Sequence, residues 1–240
     1  MIRPQKFQAV VENKQQLNDK VFNLTFLLKN PDQITFSAGQ RGLFNIGPKF
    51  NNYSLCSLPS EKSKVSICVD TTPQGPGSKW IIERKIGDNV EFIAPIGNFM
   101  LSASDKPKIF LATGSGVSPL HSMIGHLLEN KFAKDIFLYF GERYESDTFW
   151  MQEFINLQAS NNNFHYKIVL SKPQESWQGG RGYVQEVMDK DLFSPDNFHN
   201  PLEFEYYICG NGRMIASSTQ LLFNSGVQQS DIHSEKFYDV

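Results

Sequence analysis

The sequence predicts two architectures in one chain: an N-terminal antiparallel β-barrel over residues 1–103, then an α/β domain with a parallel sheet over 108–240. Three observations predict this. Residues 7–100 read as short strands broken by turns, whereas beyond 108 strand-like and helix-like stretches alternate. Between them lies Ser102-Ala103-Ser104-Asp105-Lys106-Pro107, a polar and small-residue run ending in proline, with the texture of a linker. A chain of 240 residues can also hold two cores, each built from about 100–130 residues.

In the barrel half, Val21 to Leu28 is apolar at nearly every position and reads as a strand buried on both faces. Gly39, Gly42 and Gly47 punctuate the next pair, with Leu43-Phe44-Asn45-Ile46 between them. Lys64 to Asp70 and Val90 to Ala94 are further strands. One short helix is expected to open at Ser78 and carry Trp80, Ile81 and Ile82. Many short strands with regular turn signals suggest a small closed sheet.

In the second half, strand 108–113 leads to helix 118–130, and strand 135–141 to a helix near 147–159. Strand 165–170 leads to a helix near 183–192, and strand 204–209 to a helix near 212–224. This alternation is the pattern of a parallel sheet. The first crossover is the most informative. Lys108-Ile109-Phe110-Leu111 is a short buried strand, and Leu120, Met123, Ile124, Leu127 and Leu128 repeat at helical spacing. Ser118 suits an N-cap and Pro119 the first helical position. The intervening Thr113-Gly114-Ser115-Gly116 lets backbone approach a ligand, and free N–H groups at a helix start suit a phosphate. A tight βα loop with no ligand fits the same residues. Glycines also end other strands, at Gly141 and at Gly210 and Gly212, and ligands of such sheets sit beyond the carboxyl ends of the strands.

Composition excludes several classes. Hydrophobic residues are 40% and charged residues 20%, and the net charge of −2 gives no basis for nucleic-acid binding. No apolar run approaches the ~20 residues that span a bilayer, and the N-terminus lacks the apolar core of a signal peptide. A cytoplasmic protein without membrane contact is the expectation. Cys56, Cys68 and Cys209 are odd in number and far apart, which suggests neither a disulfide framework nor a zinc site. The five histidines form no metal-binding pattern, since His121 and His126 do not share a helix face well. Thr113-Gly114-Ser115-Gly116 falls one residue short of a nucleophile elbow.

Four motifs occur in one order: Asn52-Tyr53-Ser54-Leu55-Cys56-Ser57, Gly75-Pro76-Gly77-Ser78, Ala112 to Pro119, and Cys209-Gly210-Asn211-Gly212. Gly87-Asp88 and Pro95-Ile96-Gly97 lie between them. The series resembles the ferredoxin–NADP reductase family of flavoproteins over nearly the whole chain from about residue 7. The resemblance implies a barrel that binds FAD and an α/β domain that binds NADH or NADPH, with hydride passing between stacked rings at their junction. Electrons then go to an acceptor, expected to be a separate protein such as a ferredoxin or flavodoxin. Two alternatives stand beside it: an electron-transfer subunit of a larger complex, and a flavin- or nucleotide-binding module without catalysis.

The resemblance also assigns roles. Tyr53 would stack on the flavin, for which its flat ring and polar tip are suited, and Ser54 would lie beside the hydride-accepting nitrogen. Leu55, Cys56 and Val69 join the flavin site, and Gly75, Gly77 and Ser78 open a helix toward its phosphate. Thr113, Gly114, Gly116, Ser118, Pro119, Arg143, Gly210, Gly212 and Met214 are implied to bind the nicotinamide cofactor. Cys209 would lie against the nicotinamide carbon that gives hydride. Glu235 is the acidic partner and Phe237 the ring cover in the closing run Glu235-Lys236-Phe237. Ser54, Cys209 and Glu235 form the implied catalytic set. A barrel-rim Tyr-Ser pair, a capped turn, a buried cysteine and a terminal strand are the structural readings of the same residues.

One position departs from the family. Asn51 stands where an arginine usually pairs with the flavin phosphate, a loss of ~1–3 kcal/mol for a charge-assisted contact. Arg41, Lys49 and Lys79 are candidate replacements, and FMN stays open beside FAD. After Gly141 the chain reads Glu142-Arg143-Tyr144-Glu145-Ser146-Asp147. Three acids against one arginine make a poor 2′-phosphate pocket, so NADH is the expected donor, with Lys172 after the next strand as the opposing signal.

Overall fold

The structure, a computed structural model, describes residues 2–194, 197 and 199–238, for Tyr238 the backbone alone. Contacts divide the chain into two units. One comprises residues up to Ser102 together with Ser118–Asn130; the other comprises Ala103–Val117 together with the chain from Lys131 onward.

The first unit is built on strands β1 (Gln5–Gln16), β2 (Val21–Asn30), β3 (Arg41–Asn45), β4 (Phe50–Ser54), β5 (Lys64–Asp70) and β6 (Asn89–Ile96), with helix α1 (Pro76–Glu83). They form one antiparallel sheet in the order β4-β3-β6-β1-β2-β5. A bridge from Leu55 to Ile67 carries pairing from beyond β4 to β5 and brings the sheet to a nearly closed barrel. In β1, Phe7, Ala9 and Val11 are buried while their neighbours face outward, the period-2 pattern of a half-buried strand. The core is aromatic at its centre: the Phe44 ring stacks on Phe92 at 4.7 Å, and Phe92 on Phe7 at 5.2 Å. Helix α1 begins at Pro76, two residues before the expected start at Ser78. Gly75 takes the N-cap and Pro76 the first turn, where a fixed φ and missing N–H cost nothing.

The second unit holds β7 (Lys108–Thr113), β8 (Ile136–Glu142), β9 (Phe164–Leu170), the two-residue β10 (Gly180–Arg181), β11 (Glu205–Asn211) and β12 (Ile232–Tyr238). All pair in parallel, in the order β10-β9-β8-β7-β11-β12. The helices are α2 (Val117–Glu129), counted with the first unit from Ser118 on, α3 (Met151–Ser160), α4 (Val184–Leu192) and α5 (Gly212–Asn224). At the start of β7 and β11, Lys108 and Glu205 form a fully buried ion pair, and His233 of β12 bonds the other Glu205 oxygen at 2.9 Å.

Two further helix starts differ from expectation. Ser118 is not the N-cap of α2, and Pro119 is not its first residue. A 3₁₀ turn over Gly114–Gly116 runs directly into the helix, where the Val117 N–H is already bonded to the carbonyls of Gly114 and Ser115. The helix expected near 147 begins at Met151. Tyr144 and Asp147 close a separate 3₁₀ turn over Glu145–Asp147, and Trp150 sits at φ +55°, which no right-handed helix accommodates.

Candidate functional sites for a flavin and a nicotinamide cofactor

In the first unit the expected residues gather where β4 meets α1. The Tyr53 ring lies parallel to Trp80 of α1 at 6.4 Å and edge-on to Phe44 at 5.7 Å. Asn51 donates from Nδ2 to the Tyr53 hydroxyl at 3.3 Å. Burial pushes the Tyr53 phenol above its ordinary value, with the Asn51 bond opposing, so the ring is neutral at physiological pH. Gly77 completes this cluster. A Cβ there would lie 2.3 Å from the Asn51 amide nitrogen and 2.6 Å from the Tyr53 oxygen, so only glycine lets the first turn of α1 press against both. That turn has no side-chain cap and no acid, and nothing lies within 4 Å of a Cβ placed on Gly75. An uncapped helix start with open space beside it fits an anionic group.

Ser54 is buried and pairs across the ladder with Arg41, whose side chain runs beside Gly97. Lys49 and Lys79 are exposed. The Leu55 and Val69 side chains belong to the barrel core. The Cys56 backbone is occupied on both sides: its N–H donates to Ser66, and its carbonyl accepts from His121 Nδ1 at 2.8 Å. A carbonyl only accepts, so Nδ1 carries the proton.

His121 belongs to a face of α2 that sequence reasoning passed over. Ser118 Oγ donates to the Cys68 carbonyl at 3.2 Å, and Ser122 Oγ donates to the Ser57 carbonyl at 2.6 Å. Gly125 leaves room for Leu58, whose Cδ2 would lie 2.4 Å from an added Cβ. Residues 118, 121, 122 and 125 fall on one helical stripe, and that spacing is the signal that was available. The Pro119 ring rides on the same helix.

In the second unit the expected residues gather at the carboxyl ends of β7 and β11. Thr113 Oγ1 accepts from both the backbone N–H and the Nδ2 of Asn211, each at 3.2 Å. Asn211 Oδ1 in turn accepts the Met214 N–H at 2.9 Å and caps α5. Asn211 therefore ties the turn after β7 to the start of α5. It lies inside one of the four motifs, which gives it no role of its own; asparagine one residue before a helix start is its signal. The glycines interlock. A Cβ on Gly116 would lie 2.4 Å from the Cys209 carbonyl oxygen, and one on Gly210, at φ +150°, would lie 2.2 Å from Thr113 Oγ1. Gly114 adopts φ +56°, and Gly212 opens α5.

Cys209 is fully buried, and burial, with the nearby Glu235 carboxylate, pushes its thiol well above the ordinary value. It is a neutral, compact group rather than a nucleophile. Glu235 pairs with it across the β11–β12 ladder, and Phe237, two residues on, is half-buried. Met214 is a core side chain, contacted through its sulfur by Ser218 Oγ at 3.5 Å. Arg143 is exposed just past β8. Among the described residues no group of three His, Cys, Asp or Glu side chains could hold a metal, and no helix is long and apolar enough to cross a membrane.

Comparison with known proteins agrees with both halves. The family described as oxidoreductase FAD-binding domain matches residues 8–101, and that described as oxidoreductase NAD-binding domain matches 110–220. One subunit of the Na(+)-translocating NADH-quinone reductase of Methylococcus capsulatus is 30% identical over 203 residues, 79% of this chain and 49% of that protein. The electron transfer component of anthranilate 1,2-dioxygenase from Acinetobacter baylyi is 28% identical over 208 residues, 85% of this chain and 59% of that protein. The chain thus spans about half the length of these relatives. Among solved structures, the Amycolatopsis cytochrome P450 reductase GcoB superposes with a TM-score of 0.89 at 20% identity, covering 99% of this chain and 71% of that one. With an FAD-binding and an NAD-binding oxidoreductase domain in this order, on this fold, the chain belongs to the ferredoxin–NADP reductase family.

Proposed function

We propose that the protein is a flavin-dependent NAD(P)H oxidoreductase that passes electrons to a separate acceptor protein. The observation that carries this reading is the pairing, in one chain, of an FAD-binding match at 8–101 with an NAD-binding match at 110–220. FAD is the flavin, held by residues 1–103, and 108–240 hold the nicotinamide cofactor. Bound flavin supplies the chemistry, a two-electron acceptor able to release electrons singly.

The chain's own residues bind and orient. Gly75, Gly77 and Ser78 would offer the α1 start to the flavin phosphates, with Asn51 as a neutral donor beside them. Tyr53 would present a neutral phenol on a ring held by Phe44 and Trp80, and Ser54 a hydroxyl at the end of β4. Leu55, Cys56 and Val69 would act through the shape of the barrel wall. On the sheet side, Thr113, Gly114, Gly116, Ser118 and Pro119 would line one turn, and Gly210, Gly212 and Met214 the other. Cys209 would leave room for the reacting carbon while excluding water, Glu235 would fix a donor nearby, and Phe237 would cover the flavin. Ser54, Cys209 and Glu235 are the proposed catalytic set.

A second reading, an electron-transfer subunit of a larger assembly, is favoured by a relative named as a subunit and another as an electron transfer component. Three free cysteines suit the reducing cytoplasm, where NAD(P)H is made. The deciding experiment is a visible spectrum of the protein after FAD addition, followed by anaerobic NAD(P)H. Bound flavin that bleaches supports an oxidoreductase. Bound flavin that stays oxidised leaves a binding module, and protein that takes up no flavin ends the reading. Turnover with a small artificial acceptor but with no isolated electron-transfer protein supports the second reading.

A further inference from the structure

The boundary between the two units falls at the start of α2: Val117 is counted with the second unit, and Ser118–Asn130 with the first. Turn and helix are nevertheless one hydrogen-bonded piece, because the Val117 N–H donates to the carbonyls of Gly114 and Ser115. The turn has little slack on its own side. A Cβ on Gly116 would lie 2.4 Å from the Cys209 carbonyl oxygen, and Asn211 holds Thr113 Oγ1 by two bonds. A shift of α2 must therefore carry residues 113–117 with it or break these contacts.

The body of α2 is seated on the barrel by directional bonds. His121 Nδ1 donates to the Cys56 carbonyl at 2.8 Å, Ser122 Oγ to the Ser57 carbonyl at 2.6 Å, and Ser118 Oγ to the Cys68 carbonyl at 3.2 Å. Ser118 and Ser122 are fully buried, and so are Leu120, Met123 and Ile124 on the same helix. A buried hydroxyl is costly unless bonded, so these serines need a reason beyond covering the barrel. Apolar packing is non-directional and would hold the helix without fixing its rotation or its position along its axis. Short bonds with narrow angular tolerance fix both. The accepting carbonyls lie in two short segments joined by the Leu55–Ile67 bridge. Cys56 and Ser57 follow Ser54 after one residue, and Cys68 immediately precedes Val69.

The geometry points to His121 and Ser122 as positioning residues for flavin reduction: they hold α2, and with it the turn 113–117, to the barrel segments that border Ser54 and Val69. The inference rests on the reading that the first unit binds FAD and the second a nicotinamide cofactor. Both residues lie beyond the Ala112–Pro119 motif and act through the helix rather than on the reacting atoms. Hydride transfer is steep in distance, and a misplacement of about 1 Å costs about 10²-fold. A helix held by apolar packing alone would leave both cofactors bound and the transfer slow.

The test compares His121→Leu/Ser122→Ala, which removes both donors, with His121→Asn, whose Nδ2 takes the place of the imidazole Nδ1. Stopped-flow reduction of the FAD-loaded protein at saturating NADH or NADPH is expected to be about tenfold slower or more in the double variant. His121→Asn is expected to stay near the wild-type rate, and the Kd values for FAD and nucleotide to change by less than about threefold in both. Without either cofactor, amide exchange of segment 113–117 is expected to be about tenfold faster in the double variant, the order of one lost hydrogen bond, and unchanged in β8 and β9. Full reduction rates, or unchanged exchange at 113–117, in the double variant overturn the assignment. So does His121→Asn as slow as the double variant, or a slow rate that follows from lost FAD binding, which would make the bonds a matter of building the barrel alone. Should the double variant not fold, His121→Leu alone, at a half-buried position, carries the same comparison. Wild-type protein that takes up FAD and is reduced by neither nucleotide overturns the parent reading instead, an outcome seen before any variant is made.

Discussion

Cys209 and Asn211, two residues apart, do different kinds of work. Cys209 is a buried neutral thiol, which in the proposed hydride transfer would act through its size and the water it excludes. Cys209→Ala and Ser54→Ala are expected to slow flavin reduction about tenfold or more while changing cofactor affinity less, because such contacts matter most in the transition state. Stopped-flow reduction showing full rates in both variants would reject the assignment. Asn211 makes three hydrogen bonds, two to Thr113 and one that caps α5. Asn211→Ala is expected to lose ~0.5–2 kcal/mol of stability, the usual worth of a cap, and to raise the KM for NAD(P)H. Asn211→Asp keeps the cap oxygen but loses the donor to Thr113. In urea melts it should recover most of the stability, while the KM stays high.

At the scale of elements, the turns after β7 and before α5 fit each other as closely as they would fit a ligand. Gly116→Ala places a methyl against the Cys209 carbonyl, a backbone atom with nowhere to move. The expected cost is about 1–3 kcal/mol, the range of overpacking, with weakened nicotinamide binding. Gly75→Ala is the contrast, because a Cβ there meets nothing within 4 Å and φ is −77°. Gly75 is the N-cap of α1, where glycine is favoured over alanine, and a stiffer unfolded chain acts in the opposite direction, so the melting temperature is expected to change little, while FAD affinity falls if phosphates occupy that space. A thermal melt and an FAD titration of each variant check the pair; a destabilised Gly75→Ala or a neutral Gly116→Ala would contradict it. Helix α2 carries a related lesson. Its polar stripe of Ser118, His121 and Ser122 bonds three carbonyls, of Cys68, Cys56 and Ser57, so residues that suggested a cap and a failed metal pair are structural fasteners.

At the scale of the whole molecule, four buried acidic groups of the second unit shift in one direction. The Cys209 thiol and the phenols of Tyr139, Tyr166 and Tyr206 are all raised, burial being the largest cause in each. A group held protonated in the folded state keeps its full contribution below its unfolded pKa and loses it as pH rises toward the folded value. Stability is therefore expected to be flat through neutrality. It should fall above about pH 9, as the thiol and then the phenols ionise in the unfolded chain. Urea midpoints measured from pH 7 to 11 check this; a midpoint that holds or rises across that span contradicts it. The two-part fold was legible in the sequence because hydrophobic period and turn residues are local properties. Period 2 broken by glycines gave the barrel, and strand–helix alternation gave the parallel sheet within a residue or two at most strand bounds. The four motifs were recognisable because each occupies a few consecutive residues. Strand β1 is not legible by itself, because Val10 between Ala9 and Val11 blurs the alternation that pairing with β2 and β6 enforces. The role of Asn51 beside Tyr53 and Gly77, the fastening face of α2 and the Asn211 tie depend on atoms distant in the chain. So does the engagement of Glu145 by the backbone N–H of Gln174. Sequence determines which charges a segment carries; only tertiary structure decides which are already bonded, because hydrogen bonds and ion pairs form across space rather than along the chain.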